Sequence, residues 1–219
     1  MTDPAFLRPA RFIESGDPAI VAFARQAADG AAGQRDAAIA LYNAVRDGII
    51  YDPYQNFARP AAYSASHTLA TGRGFCVAKA ALLAACARAQ GIPARLGFAD
   101  VKNHLSTPRL LERNGGPVFF WHAYADLLLE DRWVKATPAF NLAMCERFHV
   151  KPLDFDGRGD SVFHPYDARN RRHMEYVLDR GTYPDVPFES IIATFRANCP
   201  GMLEEDSFRG GDFTAESKG

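Results

Sequence analysis

The sequence predicts an α+β fold, and three observations carry that prediction. Apolar residues recur at helical spacing through much of the first 90 residues. The stretch from Cys76 to Gln90, CVAKAALLAACARAQ, is apolar around nearly its whole circumference, which marks a helix buried at the centre of a fold. From Ala94 to Thr137 the pattern changes to strand-like runs separated by a hairpin-length break. Helices come first and strands afterwards, an order that belongs to α+β architecture with an antiparallel sheet.

Each element follows from its own residues. Asp17 is a natural N-cap and Pro18 a natural first residue for a helix over 17–29, with Ala19, Ile20, Phe23 and Ala27 near helical spacing. Gly30 and Gly33 break it. A second helix runs from Gln34 to Asp47 on the stripe Ala38, Ile39, Tyr42 and Val45. Residues 48–62 read as irregular, and 64–71 as a short helix ended by Gly72 and Gly74. The central helix closes at Gly91, with Pro93 two residues on. Strands are expected over 94–101, 118–129 and 133–137, with 102–117 a polar loop and Glu130, Asp131 and Arg132 the hairpin turn. Residues 139–146 read as helical, 152–172 as an ordered surface loop, 173–178 as a strand and 187–198 as a helix. The organisation expected is one domain over 1–200, with its core at about 39–140, and a loose polar tail over 201–219.

Composition narrows the function. A chain of 219 residues with a hydrophobic fraction of 47% can bury a sizeable core without staples. A net charge of −1 offers no basic excess for a polyanion, so nucleic acid is not an expected partner. No apolar run is long enough to span a membrane, and the first residues lack a secretory pattern, so a cytoplasmic setting is expected. The four cysteines, Cys76, Cys86, Cys145 and Cys199, form no CxxC pair and read as free thiols. No phosphate loop or metal cluster appears, and no cofactor is expected.

Cys76 carries the chemistry. It opens the buried helix directly after Arg73-Gly74-Phe75. A helix N-terminus offers unsatisfied N–H groups and partial positive charge, which favour thiolate over thiol and lead us to expect a depressed pKa. The same N–H groups can receive an oxyanion after the sulfur attacks a carbonyl.

The surrounding residues resemble the transglutaminase-like superfamily. Gly74-Phe75-Cys76, the alanines of the central helix and Gly91-Ile92-Pro93-Ala94-Arg95 match its cysteine block. His122-Ala123-Tyr124-Ala125-Asp126 followed by Trp133 matches its histidine block, and Ile50-Tyr51-Asp52 its upstream segment. The resemblance covers roughly residues 39–140. It implies a papain-like α+β core and a Cys-His-Asp triad that forms a thioester, with Cys76 the nucleophile and His122 the base.

The sequence departs from that family at the third position, where Thr137-Pro138 replaces Asp-Pro. Thr137 can accept a hydrogen bond from an imidazole N–H but supplies no charge to an imidazolium. Asp126 lies four residues from His122 on one strand, roughly 13 Å away at about 3.3 Å per residue. Asn141, Asp154 and Asp156 are the other candidates. His67, His104, His149, His164 and His173 read as surface histidines. Asp154, Asp156 and Asp160 among glycines lack the closing Glu of an EF-hand. Cys86, Cys145 and Cys199 read as packing residues, and Trp133 as a cover for the hairpin.

The leading expectation is an enzyme that opens an amide or ester carbonyl through Cys76, by hydrolysis in preference to cross-linking, on a peptide or small acyl substrate. One alternative is acyl transfer, since Arg73-Gly74-Phe75-Cys76 is faintly similar to the Arg-Gly-Gly-x-Cys of arylamine N-acetyltransferases. The other is a non-catalytic binding module, which the Thr137 departure favours. The sequence leaves the acyl substrate and the oligomeric state open.

Overall fold

A computed structural model describes residues 3–104, 106–163, 174–204, 213 and 216. His164, His173 and most of the tail expected to be loose lie outside them.

Helix α1 is Pro18–Ala27, and Asp17 Oδ1 accepts the N–H groups of Ala19 (2.8 Å) and Ile20 (3.2 Å), as its sequence dictates. Helix α2 is Gln34–Gly48. The stretch read as irregular holds strand β1, Ile50–Tyr51, and helix α3, Ala65–Thr71, follows. Ser64 caps α3, and Gly72, at φ +65, ends it in a left-handed turn. Strand β2, Arg73–Gly74, pairs with β1 in parallel, Ile50 with Arg73 and Tyr51 with Gly74. That short pairing seats Tyr51 beside the segment that leads into Cys76.

Helix α4, Cys76–Ala89, is the hub. It packs against α1, α2 and α3 on one side and the main sheet on the other. Residues Val77 to Arg88 are all buried, because alanine lets the neighbouring elements approach closely. Arg88 ties its end to the sheet: Nε and Nη2 donate to Ala94 O at 3.0 and 2.8 Å. Lys79 is fully buried in this helix, a feature its apolar surroundings conceal in the sequence. Its Nζ donates to the carbonyls of Arg46 (2.9 Å) and Ile49 (2.5 Å) at the end of α2, where the helix dipole favours a cation. Burial nevertheless pushes its pKa down to about 7.

The main sheet is antiparallel in the order β5-β4-β3-β6, from β3 (Ala94–Asn103), β4 (Val118–Leu129), β5 (Arg132–Ala136) and β6 (Met174–Tyr183). The register runs from Ala94 opposite Leu127 to Ala99 opposite His122. Two departures from the sequence reading have local causes. The expected loop 102–117 contains helix α5, Pro108–Asn114, started by the Thr107 side chain accepting from Leu110 N–H and ended by Gly115 at φ +74. The hairpin turn is two residues long, not three: Glu130 and Asp131 both adopt positive φ (49° and 62°), the twist a tight hairpin needs. Helices α6 (Leu142–Phe148) and α7 (Phe188–Asn198) follow, and Met202 is buried in a 3-10 turn over Pro200–Leu203. Within the tail, Phe213 is buried, with its ring 5.7 Å from that of Tyr51. The α+β, papain-like class expected from sequence is the fold observed. No helix among the described residues is long and apolar enough to cross a membrane.

Candidate active site

Cys76 and His122 line the same cavity, which measures ≈ 70 Å³. Cys76 is half-buried at the first position of α4, and Phe75 provides the extended N-cap residue. Its thiol faces β4 closely enough to accept the N–H of Ala123, the residue after His122. Burial pushes the Cys76 thiol up to about 11, against the pull of the Ala123, Val77 and Cys76 N–H groups. The sequence expectation of a depressed pKa is therefore reversed here, because desolvation outweighs the helix N-terminus. The other thiols behave alike: burial raises Cys86 to about 12 and Cys145 and Cys199 to about 11.

His122 is buried on β4, its ring 4.8 Å from that of Phe163. Burial drives its pKa down to about 3, so the pair rests as neutral thiol and neutral imidazole. The sheet is irregular where it presents this ring. Trp121, the preceding residue, has φ +59, and the β3–β4 register slips between Ala99 and Val101. A bulge of this kind re-aims the side chain next to it. Asp100, buried at the slip, accepts the Trp121 N–H at 3.0 Å and pairs with Arg180 through Nε (2.5 Å) and Nη2 (2.7 Å).

Thr137 is buried one residue beyond β5 but does not line the cavity. Extending the pairing of Ala125 with Ala136 by one step sets it opposite Tyr124, a diagonal neighbour of His122 on the same face. Its N–H donates to Ser161 O at 3.0 Å. Its Oγ1 and the His122 Nε2 are both buried without a hydrogen-bond partner. Asp126 is engaged by Arg95 Nε at 2.8 Å. Asn141 Oδ1 accepts from Tyr51 N–H at 3.3 Å. The Asp154 side chain is 94% exposed, and Asp156 accepts the N–H groups of Arg158 and Gly159. The structure thus brings Cys76 and His122 to one cavity, which those carboxylates and the amide do not line. Among the described residues no group of three or more His, Cys, Asp or Glu side chains could hold a metal. Trp133, half-buried on β5, takes the Arg95 guanidinium over its ring at 4.0 Å.

Sequence reasoning passed over the residues that shape this site. Asp100 left a signal, an acid inside an otherwise apolar strand. Arg180, 80 positions away, left none.

A family model described as the transglutaminase-like superfamily matches residues 21–138, more than half of the chain, including Cys76, His122 and Thr137. A crystal structure from Cytophaga hutchinsonii, whose name proposes a cysteine protease, is 16% identical with a TM-score of 0.47. The alignment takes in 81% of this chain and 53% of that one, so the chain spans about half that structure's length. No curated protein matches the chain.

Proposed function

The chain belongs to the transglutaminase-like superfamily, and from that premise we propose that it is a cysteine-nucleophile enzyme opening an amide or ester carbonyl through Cys76. The supporting observation is the shared cavity wall: a thiol at a helix N-terminus beside an imidazole on the adjacent strand. Because both groups rest neutral, the thiol proton passes to His122 as the Cys76 Sγ–carbon bond forms. The backbone N–H groups at the start of α4 receive the negative oxygen. The carbon–nitrogen or carbon–oxygen bond then breaks, and His122 returns its proton to the leaving group. Water attacks the thioester, loses a proton to His122, and releases the acid while the sulfur regains its proton. Hydrolysis ranks ahead of cross-linking because water, unlike an amine acceptor, needs no second subsite beside a cavity of ≈ 70 Å³.

A binding module is the competing reading, and the unpartnered His122 Nε2 and Thr137 Oγ1 favour it. Acid-quenched mass spectrometry after mixing with p-nitrophenyl acetate separates the two. The enzyme reading expects a transient acetyl adduct on the Cys76 peptide, absent in Cys76→Ala and formed about 10²–10⁴ times more slowly in His122→Ala. No adduct, or equal rates in the His122 variant, favours the binding module. An arylamine included in the mixture reports transfer as an acetylated product.

A further inference from the structure

The cavity at Cys76 is selective in what it offers. Among its described lining residues none is Asp, Glu, Lys or Arg. Its aromatic rings form a continuous run from the imidazole round to the thiol. Phe163 lies 4.8 Å from His122, Phe140 lies 4.8 Å from Phe163, and Tyr51 lies 4.9 Å from Phe140. Tyr51 sits close enough to Cys76 that a thiolate there would raise its own pKa, which burial already holds well above the usual range.

Two polar side chains near the cavity, Asn114 and Arg113, are committed. Asn114 Nδ2 donates to Gly116 O and Val118 O, both at 2.7 Å. Arg113 does not line the cavity. It gives its guanidinium to the carbonyls of Pro53 (3.1 Å), Gln55 (3.0 Å) and Met202 (3.4 Å). A charged group entering would lose its hydration and meet no counter-charge among the described walls, and a desolvated unpaired charge is strongly rejected. The same desolvation is what moves Cys76 and His122 away from their charged forms. Size adds a limit. One water needs about 10–15 Å³ on this measure, so ≈ 70 Å³ holds a group of roughly five to seven heavy atoms. That suits a branched aliphatic or aromatic side chain.

We infer that the site takes an acyl donor whose side chain next to the attacked carbonyl is uncharged and apolar, either aromatic or branched aliphatic. This inference rests on the cysteine-nucleophile reading for its chemistry, but the selectivity of the cavity can be measured without turnover.

The full chain is labelled with N-benzyl iodoacetamide, iodoacetamide and iodoacetate. In each case the Cys76 sulfur displaces iodide and becomes a thioether. Rates are read on the Cys76 peptide and divided by the rates in the urea-unfolded chain. The benzyl-to-acetate ratio is expected to be at least tenfold higher in the folded protein. Phe140→Leu should keep that ratio and Phe140→Asp should reduce it, and the wild-type comparison decides the matter even where a variant does not fold. A ratio equal to or below the unfolded value overturns the inference. Cys76-dependent hydrolysis of p-nitrophenyl phenylacetate and the mono-p-nitrophenyl ester of succinic acid forms the second arm. Faster turnover of the anionic ester overturns the apolar selectivity and leaves the cysteine enzyme standing. A benzyl preference in labelling with no turnover of either ester supports the selectivity and defeats the enzyme.

Discussion

Asp100 on β3 accepts the backbone N–H of Trp121 on β4 at 3.0 Å, at the point where Trp121 takes a left-handed conformation, φ +59. A bulky residue at positive φ is strained, and the neighbouring structure must hold it there. Arg180 on β6 completes the clamp. It is bidentate to Asp100, and its guanidinium lies 4.6 Å from the Trp121 ring centre. The indole Nε1 donates to Thr194 Oγ1 at 2.9 Å, so α7 fixes the ring as well. Three strands and a helix thereby set the backbone from which His122 projects.

Asp100→Ala is expected to destabilise the protein by about 3 kcal/mol, since it leaves the Trp121 N–H and the Arg180 guanidinium without their acceptor. Urea unfolding measures the loss. A double-mutant cycle with Arg180→Ala should show coupling above about 1 kcal/mol. Additive losses would mean that the pair is an ordinary surface bridge.

Gly97 is fixed by a close approach. It lies opposite Tyr124 in the register, and a Cβ at position 97 would overlap Cζ, Cε2 and Oη of that ring. Gly97→Ala should therefore cost about 1–3 kcal/mol through overpacking. The cost should shrink when Tyr124→Ala is made alongside it. Calorimetric melting of the four chains tests this, and an undiminished cost in the Tyr124→Ala background would locate the strain in the backbone instead.

The helices and most strands were legible because each states its own boundary: Asp17 with Pro18 starts α1, Gly91 closes α4, and the strand over 118–129 is bounded by Gly-Pro and an acidic turn. Helix α5 was hidden because Pro108 and Gly115, which mark its two ends, read as loop formers. Cys76 and His122 were legible as motif positions, and the structure brings them to one cavity. The ionisation of Cys76 was misjudged, because a helix N-terminus is visible in sequence whereas desolvation by distant elements is not. The Asp100–Arg180 clamp was illegible for a related reason, since its partners meet only through the pairing of β3 with β6.

Stability should fall in mild acid on account of His122. Burial sets its native pKa at about 3, below the 6.5 of an unfolded histidine. As pH drops under 6.5 the unfolded chain binds a proton that the native chain refuses. The advantage of wild type over His122→Gln should then shrink by about 1.4 kcal/mol per pH unit. Lys79 acts in the same direction at higher pH. Its native pKa of about 7 lies below the ordinary 10.5, so its contribution improves from pH 7 upward and is lost as pH falls back through that window. Urea titrations from pH 4.5 to 10, with Lys79→Met beside them, measure both. A wild-type curve parallel to that of His122→Gln below pH 6.5 would place a protonatable, solvated imidazole in the native state.

Thr137 offers the most direct handle on the chemistry. Its Oγ1 and the His122 Nε2 are both buried and unpartnered, and no carboxylate among the described residues bonds to the imidazole. Without a negative neighbour, an imidazolium at His122 is costly and the thiol holds its proton. In wild type, Cys76 should therefore react with iodoacetamide along a pH curve centred above the ~8.5 of a free thiol. Thr137→Asp would set a carboxylate on the strand beside His122, and an opposite charge at such range shifts a pKa by about 1–3 units. Raising the imidazole in this way stabilises the ion pair, so the Cys76 curve should move down by at least about one unit, and the shift should vanish when His122→Ala is added. Thr137→Val is the control. It removes a hydroxyl that has no partner, so it should leave the curve in place and cost less than about 1 kcal/mol. If Thr137→Val slows Cys76 as much as His122→Ala does, the hydroxyl already orients the imidazole. If folded Thr137→Asp leaves the curve unmoved, Thr137 does not occupy the third position of a triad.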